Sequence, residues 1–225
     1  MPRIRRHGVP DSGAGKESRE SVVLVNGLWL GDSALWLLAR RLRHAGFQTF
    51  RFSYPSVRQD LRANAAQLHE FLARVPGTTV HLVGYSLGGL VLRALFQFHP
   101  GQRPGRVVLL GSPQQGSRAA VALSASGFGR RLIGRSLADL NAGTPQAWDW
   151  PVREIGAIAG SLPLGLGRLV SRLPGPNDGT VLVAEAVPAA ARDQLVLRVS
   201  HAGMLFIPAV ARQAAAFLRS GRFAR

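Results

Sequence analysis

The hexapeptide Gly84-Tyr85-Ser86-Leu87-Gly88-Gly89 stands between two apolar stretches in a way that could make a serine reactive. Thr78–Val83, just before it, has the continuous β-branched and apolar character of a strand buried on both faces. Leu90–Phe98, just after it, continues as an apolar helix. A serine with glycines two residues to either side, on a strand-to-helix turn, matches the nucleophile elbow. The glycines let strand and helix approach without a Cβ clash. The hydroxyl is lifted out of the sheet, and the helix N-terminus points toward the negative charge that acyl transfer develops. The five-residue pattern alone is weak. The strand before it, the helix after it and the extra small residue Gly89 give it weight.

A serine hydroxyl is a poor nucleophile at neutral pH and needs a base. The chain has six histidines. His7 lies in the N-terminal segment, His44 and His69 on polar faces of expected helices, His81 inside a strand, and His99 after the helix that follows the elbow. His201 differs, because it directly follows a late strand in Val199-Ser200-His201-Ala202-Gly203 and emerges at the edge where strands end. The third member must be a carboxylate between the serine and the histidine in the chain order Ser, Asp/Glu, His. The candidates are Asp139, Asp149, Glu154, Asp178, Glu185 and Asp193. Asp178, in the turn Pro176-Asn177-Asp178-Gly179-Thr180-Val181, follows the Glu154–Ala159 strand and is preferred. Asp193 is the main rival, but it precedes the last strand and so belongs to the opposite edge.

An oxyanion needs two backbone N–H groups, one from the residue after the nucleophile and one from the loop after the first core strand. These are Leu87 and, within Asn26-Gly27-Leu28-Trp29, Leu28. Apolar residues flank this machinery, and Trp29 and Met204 are taken as substrate-binding. Leu28, Leu87 and Leu205 could share that role or simply fill the core.

The elements that must position these residues follow from periodicity. Ser21–Gly27 reads as a buried strand. Ser33 is expected to cap a helix with Leu35, Leu38 and Leu42 on one face, ending near Gly46. Gln48–Tyr54 alternates as a strand, and Leu61, Ala65, Leu68 and Leu72 recur at helical spacing. Arg106–Leu110, Glu154–Ala159 and Gln194–Val199 are further strands, and Ala209–Leu218 is a closing amphipathic helix. Strands alternating with helices imply βαβ units and a mainly parallel sheet with helices on both faces, an α/β fold. Ligands then bind beyond the carboxyl ends of the strands. Residues 117–150 break the rhythm and are expected to form an excursion that could act as a lid. Residues 21–225, this excursion included, read as one domain.

The chain has 225 residues, 46% of them hydrophobic and 18% charged, enough for a sizeable core. It has no cysteine, so disulfides, thiolate metal sites and cysteine nucleophiles are excluded. The net charge is +16, and Lys16 is the single lysine among the basic residues. Such a field would attract anionic partners, including an anionic membrane surface, but the scatter of the arginines along the chain favours a plain compositional bias toward arginine over lysine. The arginines are scattered rather than set in one stripe with interleaved aromatics, which argues against nucleic acid. Residues 1–20, with Arg3, Arg5, Arg6, Lys16 and Arg19, read as a flexible basic tail without the apolar core of a secretory signal. No stretch is apolar enough to span a membrane. A cytoplasmic location is the expectation.

At this point the motifs resemble a known family. Val25-Asn26-Gly27-Leu28-Trp29 stands where the small bacterial lipases and esterases of the α/β-hydrolase superfamily have a V-H-G-type oxyanion loop. The elbow is similar to their G-H-S-M-G-G. Leu110-Gly111-Ser112-Pro113-Gln114-Gln115-Gly116-Ser117 resembles their L-G-T-P-x-x-G-S segment. Asn177-Asp178-Gly179-Thr180-Val181 and Ser200-His201-Ala202-Gly203-Met204-Leu205 resemble their acid turn and histidine loop. The likeness extends to the triacylglycerol lipase-like proteins and to the GPI inositol-deacylase-like branch, and runs from Ser21 to Leu205. It implies the α/β-hydrolase fold and a serine carboxylic ester hydrolase that forms an acyl-enzyme on Ser86, with His201 as base and Asp178 as acid. It implies a small-molecule or lipid ester substrate, no cofactor and no metal. Two positions depart from the pattern. Asn26 replaces the histidine of the oxyanion loop, so that loop must be supported differently. Tyr85 replaces the histidine beside the nucleophile.

Overall fold

The computed structural model describes residues 20–31, 33–127, 129, 131, 134–136, 145, 148–164 and 173–225. Its described elements run β1 (Ser21–Val25), α1 (Trp36–His44), β2 (Gln48–Phe52), α2 (Leu61–Ala73), β3 (Val80–Tyr85), α3 (Leu87–Phe98), β4 (Val107–Leu110), α4 (Arg118–Ser124) and β5 (Ile155–Gly160). A short α5 (Val183–Ala186), β6 (Asp193–Leu197), a 3-10 turn (Ala202–Leu205) and α6 (Pro208–Ser220) complete the order. The expected basic tail lies outside the described residues except for Glu20.

The strands form one six-stranded sheet in the order β2-β1-β3-β4-β5-β6. Every pairing is parallel. β1, β3, β4 and β5 are buried along their whole length, as their unbroken apolar runs require in a sheet covered on both faces. Side chains alternate between two cores. Val23, Val25, Leu82, Val107 and Leu109 pack with α2 and α3. Val22, Leu24, Val83, Val108 and Leu110 pack with α1 and α6 on the other side. The edge strands β2 and β6 are only partly buried. Among the described helices none is long and apolar enough to cross a membrane.

Register brings the functional turns together. Val25 is the partner of Gly84, Tyr85 of Leu110, and Leu110 of Ile158. The loops after β1, β3, β4 and β5 therefore leave the sheet side by side at its carboxyl edge.

Three local expectations need correcting. Ser33 does not cap α1; the cap position is Leu35, with no side-chain bond, and the Trp36 N–H is held by the Ser33 carbonyl instead. β6 ends at Leu197, so His201 sits beyond a short connector rather than directly on a strand. Helix α5 was not expected, and at four residues it is too short to leave a periodicity.

Much of the expected excursion, including Asp139, lies outside the described residues. Its described parts are tethered. The buried Arg93 guanidinium on α3 donates through Nε (3.0 Å) and Nη2 (2.6 Å) to the Trp148 carbonyl, and through Nη1 (3.0 Å) to the Gln114 carbonyl. Trp148 and Trp150 pack against Phe98 and Phe96.

Candidate active site

Ser86 occupies the turn between β3 and α3 with φ 52° and ψ −123°. A non-glycine residue rarely adopts positive φ, and such a conformation costs on the order of 1–3 kcal/mol. The surroundings impose it. The Ser86 N–H donates to the Leu110 carbonyl at 2.9 Å, and its own carbonyl receives the Gly89 N–H at 3.1 Å. The elbow glycines explain themselves by contact. A Cβ on Gly84 would lie 2.7 Å from the Gly89 Cα, and one on Gly88 would lie 2.3 Å from the Val25 carbonyl oxygen. The first turn of α3 thus rests directly on the end of β1.

Three residues distant in sequence form a hydrogen-bonded chain. His201 Nε2 lies 3.0 Å from Ser86 Oγ, and His201 Nδ1 lies 2.7 Å from Asp178 Oδ2. An ionised carboxylate only accepts, so Nδ1 carries the ring proton and Nε2 faces the serine as acceptor. Asp178 is 1% exposed. Its second oxygen accepts the N–H groups of Thr180 (2.9 Å) and Val181 (2.7 Å), which hold the carboxylate in place. This turn closes on itself through the Asp178 N–H to the Val181 carbonyl. Gly111, at φ +52°, leaves room for it, since a Cβ there would come within 3.0 Å of Asp178 Oδ2.

Tyr85 contributes a support that local pattern could not reveal. Its hydroxyl donates to the His201 carbonyl at 3.1 Å, and its ring lies 5.0 Å from the imidazole, centroid to centroid. Burial, and secondarily the Asp178 charge, push its phenol far above the ordinary value, so it stays a donor.

Three of the other candidate acids are engaged elsewhere. Asp193 receives the Phe223 N–H and the Arg225 side chain at the far end of β6. Glu154 pairs with Arg106 and Arg192. Glu185 is buried and accepts the N–H groups of Arg118 and Leu182, tying α4 to the acid loop.

The two expected oxyanion donors flank Ser86. Leu87 is the first residue of α3, whose leading N–H groups have no partner within the helix. Leu28 follows Gly27, where an added Cβ would lie 3.1 Å from the Ser86 Cβ. Neither the Leu28 nor the Leu87 N–H is hydrogen-bonded among the described residues.

The structure separates the two residues expected to bind substrate. Trp29 is 55% exposed beside the oxyanion turn. Met204 is fully buried and packs in the α1/α6 core, with its sulfur beside Gly111. That placement corrects its assignment to a pocket wall: the 3-10 turn after His201 points it into the protein, under Asp178. An open depression of about 430 Å³, lined by residues such as Gln115, Ala184, Val187 and Arg192, lies behind the acid loop and includes neither Ser86 nor His201.

Residues 22–224 match the model of the Alpha/beta hydrolase family. Among curated proteins no sequence matches the chain. Among solved structures the chain is similar to the mature Bacillus licheniformis lipase BlEst2, with TM-score 0.74, 20% identity, and 94% of this chain and 96% of that one covered. It is similar to the metagenomic carboxyl esterase MGS0156, with TM-score 0.64 and 18% identity over 87% of this chain and 68% of that one. It also resembles a pyrethroid hydrolase from Sphingobium faniae JZ-2, with TM-score 0.57 and 16% identity over 90% of this chain and 98% of that one. At these identities the likeness speaks for the fold.

Proposed function

The chain belongs to the alpha/beta hydrolase family, and from that premise we propose that it is a serine hydrolase cleaving carboxylic esters through an acyl-enzyme. One observation carries the reading: the unbroken hydrogen-bonded chain from Ser86 through His201 to Asp178. His201 Nε2 takes the Ser86 proton as Oγ attacks the ester carbonyl. The oxyanion forms beside the Leu28 and Leu87 N–H groups and the positive end of α3. His201, now an imidazolium stabilised by Asp178, gives its proton to the leaving alkoxide. Water then attacks the acyl-enzyme with His201 again as base, and Ser86 is released. An acyl group passed to another acceptor, or a thioester donor, would use the same steps.

A lipid ester presented at an anionic membrane suits the surface around this site. Trp36, Phe206 and Ile207 are exposed there. Arg40 lies over the Trp36 ring, and Arg41 donates to the Phe206 carbonyl. Helices α1 and α6 carry arginines and no carboxylate.

The reading is tested by assaying wild type and Ser86→Ala on p-nitrophenyl esters from acetate to palmitate. Turnover by wild type that disappears in the folded variant supports it, and the preferred chain length sizes the acyl site. Two folded but inert proteins would remove simple ester hydrolysis and bring thioesters forward.

A further inference from the structure

The turn that carries Leu28 is held from outside itself. Asn26 Nδ2 donates to Gly31 O (3.0 Å) and to Ser53 Oγ (2.7 Å). The Tyr54 hydroxyl donates to the Asn26 carbonyl at 2.8 Å, and the Trp29 N–H donates to Ser56 Oγ at 3.2 Å. Trp29 sits at φ 59°, a conformation a bulky side chain keeps only when its neighbours dictate it. Apart from Gly31, which belongs to the same loop, the partners come from the connection between β2 and α2, here a strap of residues 53–59. The strap therefore holds Asn26 and Trp29, the residues on either side of Gly27-Leu28.

The strap is also the landing site of the excursion after β4. The Arg135 N–H donates to the Val57 carbonyl at 3.1 Å. The hydroxyl of fully buried Ser136 donates to the Gln59 carbonyl at 2.7 Å and accepts from Asn64 Nδ2 at 2.9 Å. Gly134, at φ +68°, lies so close that a Cβ would meet the Val57 carbonyl oxygen at 2.3 Å. Within the strap, Ser56 N–H bonds Tyr54 O, and the Arg58 and Gln59 N–H groups bond Pro55 O. One small, internally bonded segment thus touches the oxyanion turn on one side and the excursion on the other.

We propose that Ser56 is a positioning residue for the oxyanion hole, and that docking of residues 134–136 on the same strap tightens it. The inference rests on the ester-hydrolase reading above. Ser56 touches no reacting atom. It acts by fixing the Trp29 amide and, through it, the preceding Leu28 amide. Loss of this support lowers transition-state stabilisation and leaves ground-state binding and the His201 proton relay alone.

The experiment compares wild type, Ser56→Ala and Ser136→Ala, with activities normalised to titrated active sites. The substrate is the preferred p-nitrophenyl ester, and the second readout is affinity for an alkyl trifluoromethyl ketone, whose serine adduct carries an oxyanion. For Ser56→Ala, kcat falls about tenfold at constant KM, and ketone affinity falls by the same factor, because only the oxyanion-bearing state loses stabilisation. The kcat pH profile does not shift. Ser136→Ala shows the same signature at smaller amplitude. Should Ser56→Ala fail to fold, Tyr54→Phe removes another bond from strap to turn at nearly constant volume and carries the same expectation. Unchanged kcat and ketone affinity in Ser56→Ala or its substitute overturn the proposal. So does a loss accompanied by a shifted pH profile, which would place the effect on His201. A Ser136→Ala variant that melts earlier but keeps full kcat removes the excursion from the scheme. A folded wild type that neither turns over ester nor binds the ketone overturns the ester-hydrolase reading and this inference together, a result distinct from an active wild type with an unaffected Ser56→Ala.

Discussion

Asp178 and His201 are joined twice. The carboxylate receives the ring Nδ1–H at 2.7 Å, and the Asp178 backbone carbonyl receives the His201 backbone N–H at 2.8 Å. The ring and the loop that bears it are therefore referred to one residue. Asp178 is also saturated on its other oxygen by Thr180 and Val181.

That saturation makes Asp178→Asn informative. The Thr180 and Val181 N–H groups demand an acceptor, so the new amide keeps its oxygen toward them and turns its NH₂ to His201. His201 Nδ1 must then accept, the proton moves to Nε2, and Ser86 faces a donor instead of a base. In a Ser-His-Asp system the wrong tautomer lowers kcat on the order of 10⁴-fold with geometry intact. Ester kinetics alongside a melting curve check this, since the expected loss of kcat comes with little change in Tm.

Gly88→Ala should fail for a different reason. Its Cβ would lie 2.3 Å from the Val25 carbonyl oxygen and 2.6 Å from that of Asn26, both backbone atoms. No side-chain rotation relieves that contact. Either α3 lifts off β1 or the elbow opens. Overpacking of this kind costs roughly 1–3 kcal/mol or more. Thermal unfolding should show a lower Tm, and activity should fall further than the unfolded fraction explains. Gly31→Ala, where nothing lies within 4 Å of the added carbon, is the control.

His81 gives a pH dependence of stability away from the site. It is 1% exposed, and desolvation lowers its pKa below the usual 6.5, against an opposing hydrogen bond with Glu20. Its Nδ1 accepts the Arg106 N–H at 2.9 Å, a bond that protonation would destroy. Above the ordinary histidine range the group is neutral in both folded and unfolded states and contributes no slope. As pH falls through that range, the unfolded chain takes up the proton first, so stability is lost toward acid. Urea unfolding at a series of pH values should show this fall, and His81→Gln should flatten it relative to wild type.

The surface beside the site leads to a binding prediction. Vesicles containing phosphatidylglycerol should retain the protein in sedimentation, while pure phosphatidylcholine vesicles should not. Raised salt should release it, because exposed charges are screened within about 10 Å already at 0.1 M. The double variant Trp36→Ala/Arg40→Glu should bind less while hydrolysing a soluble ester normally. Equal retention on both vesicle types, or none on either, would sink the membrane contact.

Much of this was legible in the linear sequence because parallel strands covered on both faces need unbroken apolar runs. Val22–Val25, Leu82–Val83 and Val107–Leu110 are such runs, and the turns after them are where ligands meet the sheet. Ser86 carried its own marker, since an elbow this tight admits only glycine at 84 and 88. His201 stood out by elimination among few histidines. Asp178 was less distinct, because an Asn-Asp-Gly turn is common, and only its place after the Glu154–Ala159 strand favoured it over Asp193, which precedes the last strand. Met204 was misread, as an apolar residue next to a functional loop can face either the cleft or the core, and a short 3-10 turn gives no period from which to choose. Tertiary structure alone decided the rest. The bonds from Asn26 to Ser53, from Trp29 to Ser56, from Tyr85 to His201 and from Asn64 to Ser136 join residues 27, 27, 116 and 72 positions apart. A hydrogen bond between residues distant in sequence imposes no spacing on the residues around it, so nothing in the local pattern announces it until the sheet has set the loops side by side.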